Sequence, residues 1–187
     1  METSSTAPTP DEAAAALRQA RSAGSTLAGG LVLPSHFYSA IGTAVALQIS
    51  VAAVGIGQQN AWGTTLAVAS LLVALAAGVV QISRFRSLNG VRIRGFESRV
   101  VGGTANTTSA VYAIAFGGAV WAALAHAWWV VPVFGVLGGV GYAVFGQRWW
   151  DTYQRDPAGN SGGESAVWLA VLGVIALAGM AALAAGS

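Results

Sequence analysis

Long apolar stretches, separated by short polar ones, set the pattern of this chain. No charged residue occurs from Ser35 to Ser83, between Arg99 and Arg148, or after Glu164. A helix rises 1.5 Å per residue, so about 20 apolar residues cross the roughly 30 Å of bilayer hydrocarbon. The three stretches therefore hold two, two and one crossings. The predicted spans are about 36–57, 61–83, 109–128, 130–147 and 166–185. Gln58-Gln59-Asn60 forms the polar hinge between the first two. Trp128, Trp129 and Pro132 mark the turn between the third and fourth, since Pro is tolerated in the first turn of a helix. The pattern predicts an all-α polytopic transmembrane helix bundle of five spans. Four spans are the alternative, if a re-entrant pair or one long tilted helix replaces the third and fourth. Residues 1–34 form an N-terminal tail with one short helix, and residues 35–187 form the bundle.

Composition agrees with this reading. Hydrophobic residues make up 55% of the chain and charged ones 9%, with a mean hydropathy of +0.61. A soluble domain carries about 25% charged residues, so this chain lacks the charge to coat a water-facing surface. The 25 glycines follow no three-residue period, which excludes collagen, and the absence of Cys excludes a disulfide-stapled module.

The charges also orient the chain. All nine basic residues are Arg. Arg18 and Arg21 precede the first span, Arg84, Arg86, Arg92, Arg94 and Arg99 follow the second, and Arg148 and Arg155 follow the fourth. All fall on one side of a five-span topology, and the positive-inside rule assigns that side to the cytoplasm. The expected placement is the cell membrane, N-terminus cytoplasmic and C-terminus outside. Trp62, Trp128, Trp129, Trp149, Trp150, Tyr153 and Trp168 lie near span ends, where an aromatic ring with a polar edge is favoured; Trp121 at mid-depth breaks the rule and faces either a neighbouring helix or lipid.

Outside the spans, Thr9-Pro10-Asp11-Glu12 has the signature of a helix start, with Thr as N-cap, Pro at the first position and Glu three residues after the cap. The helix is expected to run to about Ser22 and to end at Gly24. The first 34 residues do not have the form of a secretory signal peptide. In the Arg84–Thr108 loop, Asn89-Gly90 suggests a two-residue type I′ turn pairing Leu88 with Val91. The five Arg of this loop (Arg84, Arg86, Arg92, Arg94 and Arg99) are expected to meet anionic lipid headgroups, at about 1 kcal/mol each near the surface. No GxxxxGK phosphate loop and no nucleic-acid recognition module is present, so nucleotides and nucleic acids are not expected partners. The 147–165 segment continues the fourth helix, with Arg148, Asp151 and Arg155 at neighbouring helical spacings, before a Pro- and Gly-rich linker. Asn106-Thr107-Thr108 matches a glycosylation acceptor but lies on the expected cytoplasmic face.

Candidate chemistry inside the spans is sparse. None of them contains Asp, Glu, Lys or Arg, the residues that usually mark proton and ion pathways. The complete lack of Lys excludes a Schiff-base retinal, and the lack of Cys excludes thiolate metal sites. His36 and His126 fall near opposite faces, about 30 Å apart, too far to share a metal. Ser50 and Ser70 have no base nearby in sequence, and no HExxH motif occurs. No catalytic residue, metal site or cofactor is expected. Gln48, near the middle of the first span, is the sharpest intramembrane polar residue, and an amide at that depth seeks a partner on another helix.

Small residues recur at four-residue intervals: Gly135, Gly139 and Ala143 in the fourth span, Ala115, Ala119 and Ala123 in the third, and Gly42, Ala46 and Ser50 in the first. Such stripes let helix backbones approach closely. The functional expectation is a non-enzymatic scaffold or accessory subunit acting through helix packing and a cytoplasmic Arg loop, as a homo-oligomer or with another membrane protein. A small oligomeric transporter or channel for a neutral or apolar solute is the alternative.

Overall fold

The structure, a computed structural model, describes residues 9–90 and 106–157. The described residues are all helical, without strands: α1 (Pro10–Gly29), α2 (Phe37–Gly57), α3 (Ala61–Asn89), α4 (Asn106–Leu124) and α5 (Val130–Arg155). The last four are long and apolar enough to cross a membrane. The span predicted at 166–185, most of the Arg loop and the 158–165 linker lie outside the described residues.

The packing inverts that of a water-soluble bundle. The centre is built from small residues: Ala53, Ala119, Ala122 and Ala123 are fully buried, together with Ile49 and Val131. Large side chains point outward instead, among them Leu72, Val73 and Val79 on α3 and Val136, Leu137 and Val140 on α5. In water such an aliphatic coat would drive association. In hydrocarbon it is neutral, and cohesion comes from close van der Waals packing of the small faces. The molecule is built for a bilayer. Trp121 is 67% exposed, so it faces outward to lipid and not toward a neighbouring helix.

α2 is the hub, packing on α3, α4 and α5, while α5 also packs on α4. The charged residues of α3 and α5 lie near the C-terminal ends of those helices, at one end of the bundle. There Phe37 and Tyr38 of α2, Ile82 and Phe85 of α3, and Tyr142 and Trp150 of α5 form an aromatic-rich cluster. The linker after α1 is pinned to the same end. Asn89 donates its amide to the Val32 carbonyl at 2.8 Å and accepts from the Val32 N–H at 2.8 Å, and Gln154 donates to the Leu31 carbonyl at 3.2 Å.

Several local expectations are corrected. Asn89-Gly90 is not a hairpin turn. α3 continues through Asn89, and Gly90 caps it in the left-handed region at φ 63°, where glycine carries no Cβ penalty. The dipeptide favours a positive φ, and a helix C-cap uses that preference as well as a type I′ turn does. α1 does not end at Gly24 but continues to Gly29. One glycine costs only about 1 kcal/mol in a helix interior, and the Ser22, Ser25 and Thr26 hydroxyls are satisfied by carbonyls three or four residues back. α4 stops at Leu124 instead of reaching Trp128. Ala127 N–H bonds the Ala122 carbonyl and His126 N–H the Ala123 carbonyl, a Schellman motif with His126 in the left-handed position at φ 58°. Without a glycine to announce it, that stop is hidden in the sequence.

The start of α1 has the anticipated form. Thr9 Oγ1 accepts from the Glu12 N–H at 3.3 Å, and the Glu12 carboxylate accepts from the Thr9 N–H at 2.8 Å. The Thr9 backbone N–H, and secondarily its side chain, hold the Glu12 carboxyl below its ordinary value of 4.5. A carboxyl depressed in the folded state stabilises above the ordinary value, and that contribution is lost as pH falls through the depressed one. The protection of the first-turn amides of α1, taken as exchange relative to the intrinsic rate at each pH, is therefore expected to fall on acidification through and below the ordinary carboxylate range. In Thr9→Ala that protection should be low throughout and lose this pH dependence. A first turn equally protected across that range would remove the box as a stabilising feature.

Candidate functional site

Four-residue spacing puts small side chains on one face of each helix, and the fold decides which faces meet. Gly42 and Ala46 of α2 lie against Gly139 of α5. A Cβ added at Gly42 would sit 2.7 Å from the Gly139 carbonyl oxygen and 3.0 Å from Ala143 Cβ. One added at Gly139 would overlap the Gly42 carbonyl and come within 2.7 Å of Ala46 Cβ. Gly135 faces Ser50 in the same way. The first-span and fourth-span stripes thus form one intramolecular seam. On α4, Ala115 and Ala123 occupy parallel niches: a Cβ on Gly138 would lie 2.8 Å from Ala115 Cβ, and one on Gly57 would lie 2.9 Å from Ala123 Cβ. Ala119 is fully buried between them.

Midway along α2, Gln48 is only 6% exposed. Its Oε1 accepts a hydrogen bond from the Tyr112 hydroxyl of α4 at 2.8 Å, and Tyr112 in turn stacks on Phe116 with ring centroids 5.9 Å apart. The pair satisfies two polar groups that would otherwise be stranded in hydrocarbon. Interhelical bonds of this kind average about 0.6 kcal/mol in a membrane and reach about 1.7. Tyr112→Phe is expected to lower thermal stability by an amount in that range. A double-mutant cycle with Gln48→Leu checks it: strictly additive losses would mean that the two groups are not coupled.

Gln48 also lines a groove of about 490 Å³ between α2 and α3, together with Ala40, Thr43, Leu47 and Val51 on one wall and Leu66, Ala69, Ser70 and Val73 on the other. α2 and α3 touch at the uncharged end, where Gly55 and Gly63 meet backbone to backbone. In that antiparallel register Ser70 stands at the level of Gln48. The Ser70 hydroxyl donates to the Ala67 carbonyl at 2.8 Å.

Of the five loop Arg, Arg84 is exposed and Arg86 half-buried on the last turns of α3; Arg92, Arg94 and Arg99 lie outside the described residues. Arg148 is exposed with its guanidinium 5.6 Å from the Phe145 ring centroid, Arg155 is exposed at the same end of the bundle, and Arg18 and Arg21 are exposed on α1. His36 caps α2 at that charged end, whereas His126 sits in the α4–α5 turn with its ring 6.0 Å from Trp128. Among the described residues no group of three or more His, Asp or Glu is placed to hold a metal.

Sequence reasoning missed Asn89, whose amide also donates to the Phe85 carbonyl at 2.9 Å and so ties the α1–α2 linker to α3. No local pattern signals a contact with a partner 57 positions away. It also singled out Gln48 without naming its partner, Tyr112 of α4. Comparisons with protein-family models, with curated proteins and with solved structures find no match.

Proposed function

We propose that this chain is a multi-pass protein of the cell membrane, with α1 in the cytoplasm, that acts as a non-enzymatic scaffold or accessory subunit. The observation that carries this reading is the sealed α2–α5 seam. Glycine backbones in van der Waals contact, flanked by buried alanines, make α2, α4 and α5 a rigid platform with its intramembrane polar pair already bonded. α3 packs chiefly on α2 and carries its aliphatic coat outward, the arrangement expected of a helix that meets other membrane components. The gathering of Arg84, Arg86, Arg148 and Arg155 at one end favours that end as cytoplasmic, where they would hold anionic headgroups.

Reporter fusions test the placement. Fusions at Asn60 and at the C-terminus should report from outside, and those at Asn89 and Gly159 from the cytoplasm. An Asn89 fusion reporting from outside would reverse the orientation. Reconstitution tests the role: proteoliposomes holding the full chain should pass neutral solutes no faster than empty ones. Solute flux abolished by Gln48→Leu would replace the scaffold reading with that of a small carrier.

A further inference from the structure

We propose that the α2–α3 groove is a binding site for a neutral long-chain lipid whose carbonyl oxygen lies within its apolar body, such as a ketone, an ester or a quinone, and that the Gln48 amide nitrogen is the group that reads it. The inference rests on the membrane location of the chain and is independent of the scaffold role.

The hydrogen bond from Tyr112 occupies Gln48 Oε1 and fixes the amide, leaving the two hydrogens on Nε2 without a partner among the described residues. A carboxamide that is 6% exposed and half satisfied is costly in hydrocarbon. The side chain lines the groove, so a ligand there can supply the missing acceptor. The volume of about 490 Å³ falls within the range of small-molecule sites, and the mix of aliphatic walls with few polar groups has their character.

Depth selects the ligand class. Gln48 lies midway along α2, whereas phospholipid ester carbonyls sit at the membrane interface, about half the hydrocarbon thickness away. An acceptor at this level must belong to a molecule dissolved in the hydrocarbon. Every side chain lining the groove is uncharged, so the ligand must be neutral too. Ser70 opposite Gln48 is short, and its proton is committed to Ala67, so it leaves room for the carbonyl without competing as a donor.

The test uses the full chain in nanodiscs of ether-linked phospholipid, which contributes no carbonyl band, with a symmetric long-chain ketone labelled with carbon-13 at its carbonyl. Infrared spectra of the wild type should show a fraction of the labelled band shifted to lower frequency by hydrogen bonding. Gln48→Leu should abolish the shifted fraction. Ala69→Phe should abolish it as well, because it fills the groove while leaving the Gln48–Tyr112 bond and the seam untouched. Gly117→Leu, on the open face of α4 where no atom lies within 4 Å of an added Cβ, should leave it unchanged. A labelled band identical with and without protein would overturn the proposal, as would a shifted fraction that survives Ala69→Phe.

Discussion

Gly139→Leu is expected to break the bundle at its central seam. The obstacle at this position is backbone: an added Cβ runs into the Gly42 carbonyl, with Ala46 Cβ at 2.7 Å on the same side. Side chains can change rotamer, but a helical carbonyl moves only with its helix. Overpacking a core typically costs about 1–3 kcal/mol, and a clash with the main chain of α2 should reach or pass the upper figure. α2 also holds α3 and α4, so its displacement should propagate through the bundle. The measurement is the thermal midpoint in detergent by circular dichroism, compared with Gly117→Leu. Both substitutions put Leu for Gly inside a helix, where propensity favours Leu. Gly139→Leu should melt well below the wild type and Gly117→Leu at or slightly above it. Equal midpoints would mean that the close approach does not hold α2 and α5 together.

The second large effect is expected at Gly63, where Gly63→Leu should detach the uncharged end of α3. A Cβ there overlaps the Gly55 carbonyl oxygen and lies 3.1 Å from Gln58 Cβ. The three-residue turn between α2 and α3 cannot stretch to absorb the change. It is held by Asn60, whose side chain accepts from the Gly63 N–H at 2.7 Å, and by Gln59 at a positive φ of 49°. The helices should splay, widening the groove between them while the seam with α5 stays closed. The native chain contains no Cys, so spin labels can be placed without background at Leu47→Cys and Leu72→Cys, both 61% exposed. Their separation should lengthen and its distribution broaden in Gly63→Leu. In Gly117→Leu it should not move. An unchanged distance in the Gly63 variant would show that α3 is held elsewhere along its length.

These two positions also show how far the one-dimensional pattern reached. Runs of uncharged residues marked the four long apolar helices and placed their starts to within three residues, although α3 and α5 run on past the expected span ends at 83 and 147. Bilayer thickness sets a minimum helix length and charge is expelled from hydrocarbon. Capping chemistry at Thr9–Glu12 was legible for a similar reason: all its partners lie within one turn. Errors arose where one local signal serves two structures. Asn89-Gly90 promises a positive φ but not whether a hairpin or a helix end will use it. At His126 the left-handed residue is not a glycine, so the end of α4 carried no mark.

The sequence by itself determined that this chain is an all-helical membrane protein, with its charge outside the long apolar stretches and little polarity within them. It also showed that Gly42, Gly135 and Gly139 could sit on packing faces. The tertiary structure alone decided that these faces meet each other, that Gln48 bonds Tyr112, and that α2 and α3 part to leave a groove at the level of the amide. The reason is that stripes of small residues are interchangeable in sequence. Any of them permits close approach, and only the mutual fit of helices nearly 100 residues apart selects one pairing.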